Sequence, residues 1–166
     1  QIVNNGNGTY TVRCDNQGCT DEDTGVITET LTPTAYAPNV ALCMPYTQAE
    51  LEAAVAQAGG GCGAVGNPPQ IVNNGDGTYT VYCDNQGCLD EDTGTITEIQ
   101  TPTAYAPNVE ICAPASQTKL EAAVAAAGGG CDFGTTLIVN NGNGTYTVYC
   151  DNQGCTDEDT GTYTVS

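Results

Sequence analysis

Apolar and polar residues alternate along three stretches of the chain that share nearly the same sequence. In the first stretch, Tyr10 and Val12 alternate with threonines after an Asn-Gly-Asn-Gly run, and residues 2–19 return at 71–88 and 138–155. Alternation with a period of two is typical of a half-buried strand, and Asn-Gly supplies the positive φ that a tight hairpin turn needs. With the β-branched run that follows, each copy predicts a β-meander of three to four strands.

A helical pattern follows the meander in the first two copies. Thr47 and Glu50 form a capping-box sequence ahead of Leu51 and Val55, which have the i, i+4 spacing of one helix face. Three glycines then end the pattern. The second copy keeps it at 116–130, with lysine in place of the glutamate. A helix of about eleven residues is marginal alone in water, so we expect it to pack on the meander.

These patterns predict an α+β fold made of tandem small modules, each a β-meander of three to four strands with one short helix. The repeats place module 1 at residues 1–69, module 2 at 70–136 and a partial module 3, with the β part only, at 137–166. Short segments join the copies, so adjacent modules are expected to touch and stack into a rod.

The chain has ten cysteines, four in each full copy and two in the partial copy. Modules of this size rarely have a sufficient core, and a regular, even set of cysteines indicates disulfides in an oxidising, extracellular setting. Zinc is the competing interpretation, but the chain has no histidine and no C-x2-C pair. The ten candidate disulfide residues are Cys14, Cys19, Cys43, Cys62, Cys83, Cys88, Cys112, Cys131, Cys150 and Cys155.

Four cysteines in a copy allow three pairings, and the sequence alone leaves the choice open. The partial copy has Cys150 and Cys155 but no counterpart of Cys43 or Cys62, which favours local pairing because no cysteine is then left over. The favoured set is Cys14–Cys19, Cys83–Cys88 and Cys150–Cys155 as clasps of the hairpins, with Cys43–Cys62 and Cys112–Cys131 around the helices.

Charge limits the possible partners. Twenty acidic residues face only Arg13 and Lys119, for a formal net charge of −18. Binding to nucleic acid needs clustered lysine and arginine, and so does a polybasic membrane contact, so neither is expected. No apolar run approaches the roughly 20 residues of a membrane span.

Acidic residues cluster at equivalent places in the three copies, and oxygen ligands on a loop suit Ca²⁺. The spacing is not that of an EF-hand, and a solvated acidic loop without a metal is the alternative. The candidate calcium ligands are Asp15, Asp21, Glu22, Asp23, Asp84, Asp90, Glu91, Asp92, Asp151, Asp157, Glu158 and Asp159. Paired carboxylates also occur in glycosidases, but short loops on small repeated modules offer no differentiated pocket, and an enzyme is not expected.

Two kinds of candidate glycosylation site are present. Asn7 and Asn143 fit the N-linked acceptor pattern, although the second copy has Asp76 at this place, so a turn requirement explains the position equally well. The Thr/Pro-rich connectors offer O-linked candidates at Thr32, Thr34, Thr101 and Thr103. The outward position of Tyr82 and Tyr149 suits stacking on a sugar ring or on a neighbouring module, and a cross-strand contact on an exposed face is the alternative.

The strings Asn-Gly-Asn-Gly-Thr-Tyr-Thr-Val at 5–12 and Asn-Gly-Asp-Gly-Thr-Tyr-Thr-Val at 74–81 resemble the β-hairpin repeats of large secreted bacterial surface proteins of the adhesin and fibre kind. The resemblance implies a repetitive, extracellular and non-enzymatic role. Together with the repeats, it predicts a structural subunit of an extracellular filament or surface stalk whose partners are copies of itself or adjacent repeats. A calcium-dependent adhesin or carbohydrate-binding repeat array is the alternative.

Overall fold

Residues 1–166 are described by a computed structural model, and the chain begins with a three-stranded antiparallel sheet. The strands are β1 (Ile2–Asn4), β2 (Thr9–Asn16) and β3 (Cys19–Val26). Gln17 and Gly18 form the two-residue turn between β2 and β3, with φ of 54° and 88°. Both values lie in the left-handed region that such hairpins require. We call β1–β3 the N-terminal sheet.

The chain from the N-terminal sheet to the second sheet contains a helix and three short strands. In chain order they are β4 (Ala35–Tyr36), β5 (Val40–Met44), α1 (Gln48–Gln57) and β6 (Gly61–Cys62). The predicted capping box is present, since Thr47 accepts from the amide of Glu50 and the Glu50 carboxylate accepts from the amide of Thr47. Leu51 and Val55 are fully buried, as the helical pattern predicts.

The same order of elements then repeats once in full. The second sheet contains β7 (Gln70–Asn73), β8 (Thr78–Asn85) and β9 (Cys88–Gln100). It is followed by β10 (Ala104–Tyr105), β11 (Val109–Ile111), α2 (Gln117–Ala126) and β12 (Gly130–Cys131). The last strands are β13 (Thr135–Asn140), β14 (Thr145–Asn152) and β15 (Cys155–Val165).

A strand from one repeat completes the sheet of the next repeat. Strand β5 lies parallel to β9, with Val40 opposite Ile96, in a sheet of order β5-β9-β8-β7. Strand β11 pairs with β15 in the same way, with Val109 opposite Tyr163. The small pairs β4-β6 and β10-β12 are antiparallel and come from the same segments as β5 and β11. We call residues 31–62 and 100–131 the donor segments.

Each of the two hydrophobic cores contains residues from a donor segment and from the sheet that this segment completes. The first contains Leu42, Leu51 and Val55 of the first donor segment together with Tyr79 and Val81 of the second sheet. The second joins the donor segment at 100–131 to β14 in the same way. Each core therefore combines residues from both sides of the sequence-repeat boundaries at 69/70 and 136/137. We call each donor segment with the sheet that it completes a packing unit.

The predicted α+β class is wrong, because the protein is mainly β. Strands contain 51% of the residues and the two helices only 12%. The difference arises from the acidic segments, which were expected to be loops. Their side chains alternate along continuous strands, and β9 is thirteen residues long for this reason. Each helix packs its buried leucine and valine against a central strand of a sheet, α1 against β8 and α2 against β14.

Candidate functional site

The acidic strands hold the donor segments by hydrogen bonds to backbone amides. The carboxylates of Asp90 and Asp92 accept from the amides of Ala35 and Ala37, each at 2.8 Å. In the second packing unit, Asp157 and Asp159 accept from the amides of Ala104 and Ala106, at 2.9 and 2.8 Å. Side chains two apart on a strand lie on the same face, so the Asp-x-Asp spacing matches alternate amides of an extended donor.

A tyrosine and a glycine complete each contact. The Tyr79 side chain is fully buried and its hydroxyl donates to the carbonyl of Pro38. A Cβ on Gly94 would lie 2.7 Å from the Ala37 carbonyl oxygen, so only glycine lets the donor backbone approach this closely. In the second packing unit, Tyr146 donates to Pro107, and Gly161 lies equally close to the Ala106 carbonyl.

Burial changes the acidity of both tyrosines. Loss of water around the ring raises the pKa of Tyr79, and the nearby negative charge of Asp92 raises the same pKa further. Burial, with Asp159, raises the pKa of Tyr146 in the same way. The hydroxyls therefore remain protonated and continue to donate at neutral and mildly alkaline pH.

Disulfides bond each donor segment to the sheet that receives it. Cys62 is bonded to Cys83, and Cys131 to Cys150. A third disulfide, Cys43–Cys155, joins the donor strand of the first packing unit to the β14–β15 hairpin of the second, across 112 residues of sequence. Within the structure, one kind of disulfide closes a packing unit and the other joins consecutive packing units. Three disulfides are typical of a protein in an oxidising, extracellular compartment.

The favoured local disulfide pairing is wrong. The hairpin register places Cys83 opposite Asp90 and Cys88 opposite Asn85, so the two sulfurs lie on different rungs of the ladder. Cys83 points into the core, where it meets the donor segment, and is 1% exposed. Six of the ten candidate cysteines are bonded. The four with free thiols are Cys14, Cys19, Cys88 and Cys112.

The candidate calcium ligands lie on strands and at strand ends, so the expected acidic loop is wrong. Asp15, Asp84 and Asp151 each accept from a glycine amide in the adjacent turn. Glu22 pairs with Arg13 at 3.4 Å on an exposed rung, and Glu91 and Glu158 are exposed. No group of three or more acidic or cysteine side chains is arranged to hold a metal ion. Calcium binding stays a prediction.

The candidate glycosylation residues occupy two kinds of position. Asn7 and Asn143 lie in exposed hairpin turns, where each side-chain oxygen accepts from the hydroxyl of the threonine two residues later. Thr32, Thr34 and Thr103 are exposed on the donor segments. The Thr101 hydroxyl donates to the Met44 carbonyl at 2.6 Å. Glycosylation stays a prediction at all six positions.

A shallow cleft recurs beside the hairpins. In the first packing unit, the half-exposed ring of Tyr82 lies at this cleft with Leu89, Asp90 and Glu91. The equivalent cleft of the second packing unit contains Tyr149 with Asp157 and Glu158. Each cleft therefore places an exposed aromatic ring beside carboxylates. No helix of the protein has the length and apolar character that crossing a membrane requires.

Comparisons with known proteins identify no family for this chain. No protein family and no curated protein matches the sequence. Among solved structures, the chain is similar to Drosophila OTK, extracellular domains 3-5, with 13% sequence identity over 99% of this chain and 73% of that chain. The TM-score is 0.28, and a likeness at this level carries no argument about fold or function.

Proposed function

We propose that the chain is a structural subunit of an extracellular filament or surface stalk built from head-to-tail repeats. The observation that carries this proposal is donation in one direction, in which β5 completes the second sheet and β11 completes the third. Each of the two full repeats gives a segment to the repeat after it. A contact of this head-to-tail kind does not close on itself and can continue without limit.

The Cys43–Cys155 disulfide supports growth by the same rule between copies. Cys112 has the place of Cys43 in its donor segment and is exposed, and Cys19 has the place of Cys155 at the tip of the N-terminal sheet and is also exposed. In the proposed assembly, Cys112 of one copy bonds to Cys19 of the next. Oxidised glutathione serves as oxidant: two protein thiols and one glutathione disulfide give one protein disulfide and two molecules of glutathione.

Electron microscopy of the 166-residue protein in negative stain tests the proposal. Incubation with oxidised glutathione is expected to give filaments and a ladder of linked copies on non-reducing gels. Cys112→Ser is expected to abolish the ladder. Cys14→Ser is expected to keep it, because both donor segments of each copy already lie on its own sheets and none is left to reach Cys14. Isolated particles without a ladder in the oxidised wild-type protein would contradict the proposal.

A carbohydrate-binding repeat array is the second candidate, supported by the clefts at Tyr82 and Tyr149. Repeated weak sites would gain avidity along the chain. Titration with a panel of oligosaccharides, with and without Ca²⁺, tests it. Binding that is lost in Tyr82→Ala/Tyr149→Ala favours the array. Loss of that binding, but not of assembly, on replacement of Asp21, Glu22 and Asp23 also favours the array, and binding that requires added Ca²⁺ makes it calcium-dependent.

A further inference from the structure

The N-terminal sheet has every residue that the other two sheets use to hold a donor segment, yet no donor segment lies on it. Tyr10 and Gly25 are opposite each other, as Tyr79 and Gly94 are, and Cys14 lies opposite Asp21 as Cys83 lies opposite Asp90. Asp23 has the place of Asp92, two residues before glycine in both sheets. The chain has two donor segments, and they lie on the second and third sheets.

The same residues are exposed where the donor is absent. Cys14 is exposed, whereas the equivalent Cys83 and Cys150 are each 1% exposed. Asp21 and Asp23 are exposed, and neither accepts from a donor amide, unlike Asp90 and Asp92. Tyr10 is half-buried, whereas Tyr79 and Tyr146 are fully buried. The N-terminal sheet therefore presents an inner face that its two counterparts cover.

The last strand of the N-terminal sheet is also shorter than its counterpart in the second sheet, where a donor strand is present. Strand β3 has eight residues and ends at Val26, which is 77% exposed, whereas β9 has thirteen and continues to Gln100. The extra residues of β9 are the ones that pair with β5, from Ile96 to Gln100. Without a parallel partner, the equivalent residues 27–31 of the first repeat do not form a strand.

The N-terminal sheet meets the first packing unit as that unit meets the second. The side-chain amide of Asn85 donates to the Leu31 carbonyl at 2.8 Å, and that of Asn152 donates to the Gln100 carbonyl at 2.8 Å. These two contacts are equivalent in the repeat. Cys88, at the tip beside Asn85, therefore has the position that Cys155 has beside Asn152. The partner of Cys155 is Cys43, which is on a donor segment.

We propose that the N-terminal sheet is the binding site for a donor segment from another repeat unit, of the sequence type found at residues 31–62, and that this one segment bonds to both Cys88 and Cys14. Its cysteine at the place of Cys43 reaches Cys88, and its cysteine at the place of Cys62 reaches Cys14. The precedent is the first donor segment, whose two cysteines bond Cys155 and Cys83. The inference deepens the proposed function and rests on its repeat-to-repeat donation.

The covalent step is thiol–disulfide exchange with a donor whose two cysteines are held as mixed disulfides with 2-thiopyridine. The Cys14 thiolate attacks the donor sulfur, a protein–donor disulfide forms, and the thiopyridine leaves with the electron pair and takes up a proton. Cys88 reacts in the same way with the other donor cysteine. Each exchange conserves the number of disulfides, so no further oxidant is needed.

The test adds a synthetic peptide with the sequence of residues 31–62, activated in this way and isotope-labelled, to the 166-residue protein. We expect two molecules of the thiopyridine leaving group to be released for each chain. Peptide mapping is expected to find one donor cysteine bonded to Cys14 and the other bonded to Cys88. Hydrogen exchange at the amides of residues 27–30 is expected to slow, because the docked strand extends β3. A scrambled peptide with cysteines at the same positions is the control and is expected to react without slowing this exchange.

A second measurement separates docking from thiol reactivity. With serine in place of both cysteines, the peptide is expected to bind the wild-type protein at least about tenfold more tightly than Asp21→Ala/Asp23→Ala, because two charge-assisted hydrogen bonds are lost in the variant. Reaction at Cys19 and Cys112 as often as at Cys14 and Cys88, or unchanged exchange at residues 27–30, overturns the inference. Filament formation is scored separately by microscopy, so failure here is distinguishable from failure of the proposed function.

Discussion

The carboxylate of Asp92 accepts a hydrogen bond at 2.8 Å from the backbone amide of Ala37, which lies 55 residues earlier in the chain. The bond joins two repeats and is formed at the same place in the second packing unit, between Asp159 and Ala106. An acidic residue that a sequence pattern assigns to a loop thus has a defined role in joining one repeat to the next. Its contribution to stability is measurable because the N-terminal sheet provides an internal control.

Asp92→Ala is expected to lower the free energy of unfolding by about 1.5–3 kcal/mol, the usual range for a hydrogen bond to a charged group. The Ala37 amide would lose its acceptor in a part-buried contact. Asp23→Ala is the matched control, because Asp23 and Asp92 both accept from the amide of the following threonine but only Asp92 holds a donor. Urea unfolding of both variants makes the comparison. Equal losses would show that the donor contact contributes nothing.

Gly94→Ala tests the close approach of the donor backbone. The added Cβ would lie within 2.7 Å of the Ala37 carbonyl and 2.6 Å of the Tyr79 ring, both held in the core. Overpacking of this kind typically costs about 1–3 kcal/mol. Gly25→Ala is the control, since the three atoms nearest to the added Cβ all belong to the half-buried Tyr10 side chain and no donor backbone is among them. We expect Gly94→Ala to lower the melting temperature clearly more than Gly25→Ala does.

Much of the local structure was predictable from the sequence. Asn-Gly turns specify hairpins through their backbone conformation, and Thr47 with Glu50 specifies the start of α1, because these signals act between residues close together in the chain. The role of Asp90 and Asp92 was not predicted, because their partners are backbone amides of another repeat. Asp90, Glu91 and Asp92 are all acidic, so the sequence shows no apolar–polar alternation there, and the alternation of their burial appears only in the folded strand.

The disulfide pairing could not be predicted from the sequence, for a related reason. Local pairing assumes that a sequence repeat is also a packing unit. Cys62 and Cys83 belong to different sequence repeats but to one hydrophobic core, because the helix segment packs on the sheet that follows it. A repeat in the sequence determines how many residues each structural unit contains, but not where along the repeat a packing unit begins. That starting point depends on which apolar faces cover one another.

Removal of the Tyr79 hydroxyl is expected to destabilise the first packing unit. Tyr79→Phe leaves the Pro38 carbonyl without its buried donor, which costs about 1–3 kcal/mol at neutral pH. Thermal unfolding at neutral pH measures the change. Tyr10→Phe is the control, since the N-terminal sheet has no donor segment to contact, and an equal loss there would contradict the donor contact as the cause.

The tyrosines also predict how stability changes at alkaline pH. Burial raises the pKa of Tyr79 and Tyr146 above the ordinary value of 10.0. Above pH 10 the unfolded chain releases protons that the folded chain keeps, so stability is complete below that pH and falls as pH rises towards the folded pKa values. The free energy of unfolding is measured from about pH 9 to about pH 11.5, a range that spans the ordinary tyrosine pKa. We expect this free energy to fall less steeply with pH in Tyr79→Phe/Tyr146→Phe than in the wild type. Parallel curves would contradict it.

Disulfide mapping is the most direct check of which sheet each donor segment is bonded to. Digestion of unreduced protein, with free thiols first alkylated, is expected to yield linked peptides for Cys62–Cys83, Cys131–Cys150 and Cys43–Cys155, and alkylation at the other four cysteines. Cys62→Ser opens a bond with a sequence separation of 21 residues and is expected to cost about 3 kcal/mol, chiefly by releasing the unfolded chain. Cys14→Ser, which removes a free thiol, is expected to change stability by less than about 0.5 kcal/mol. Linked peptides that join Cys14 to Cys19 or Cys83 to Cys88 would instead mean that each hairpin is closed on itself, and the donor segments would then lack their covalent attachment.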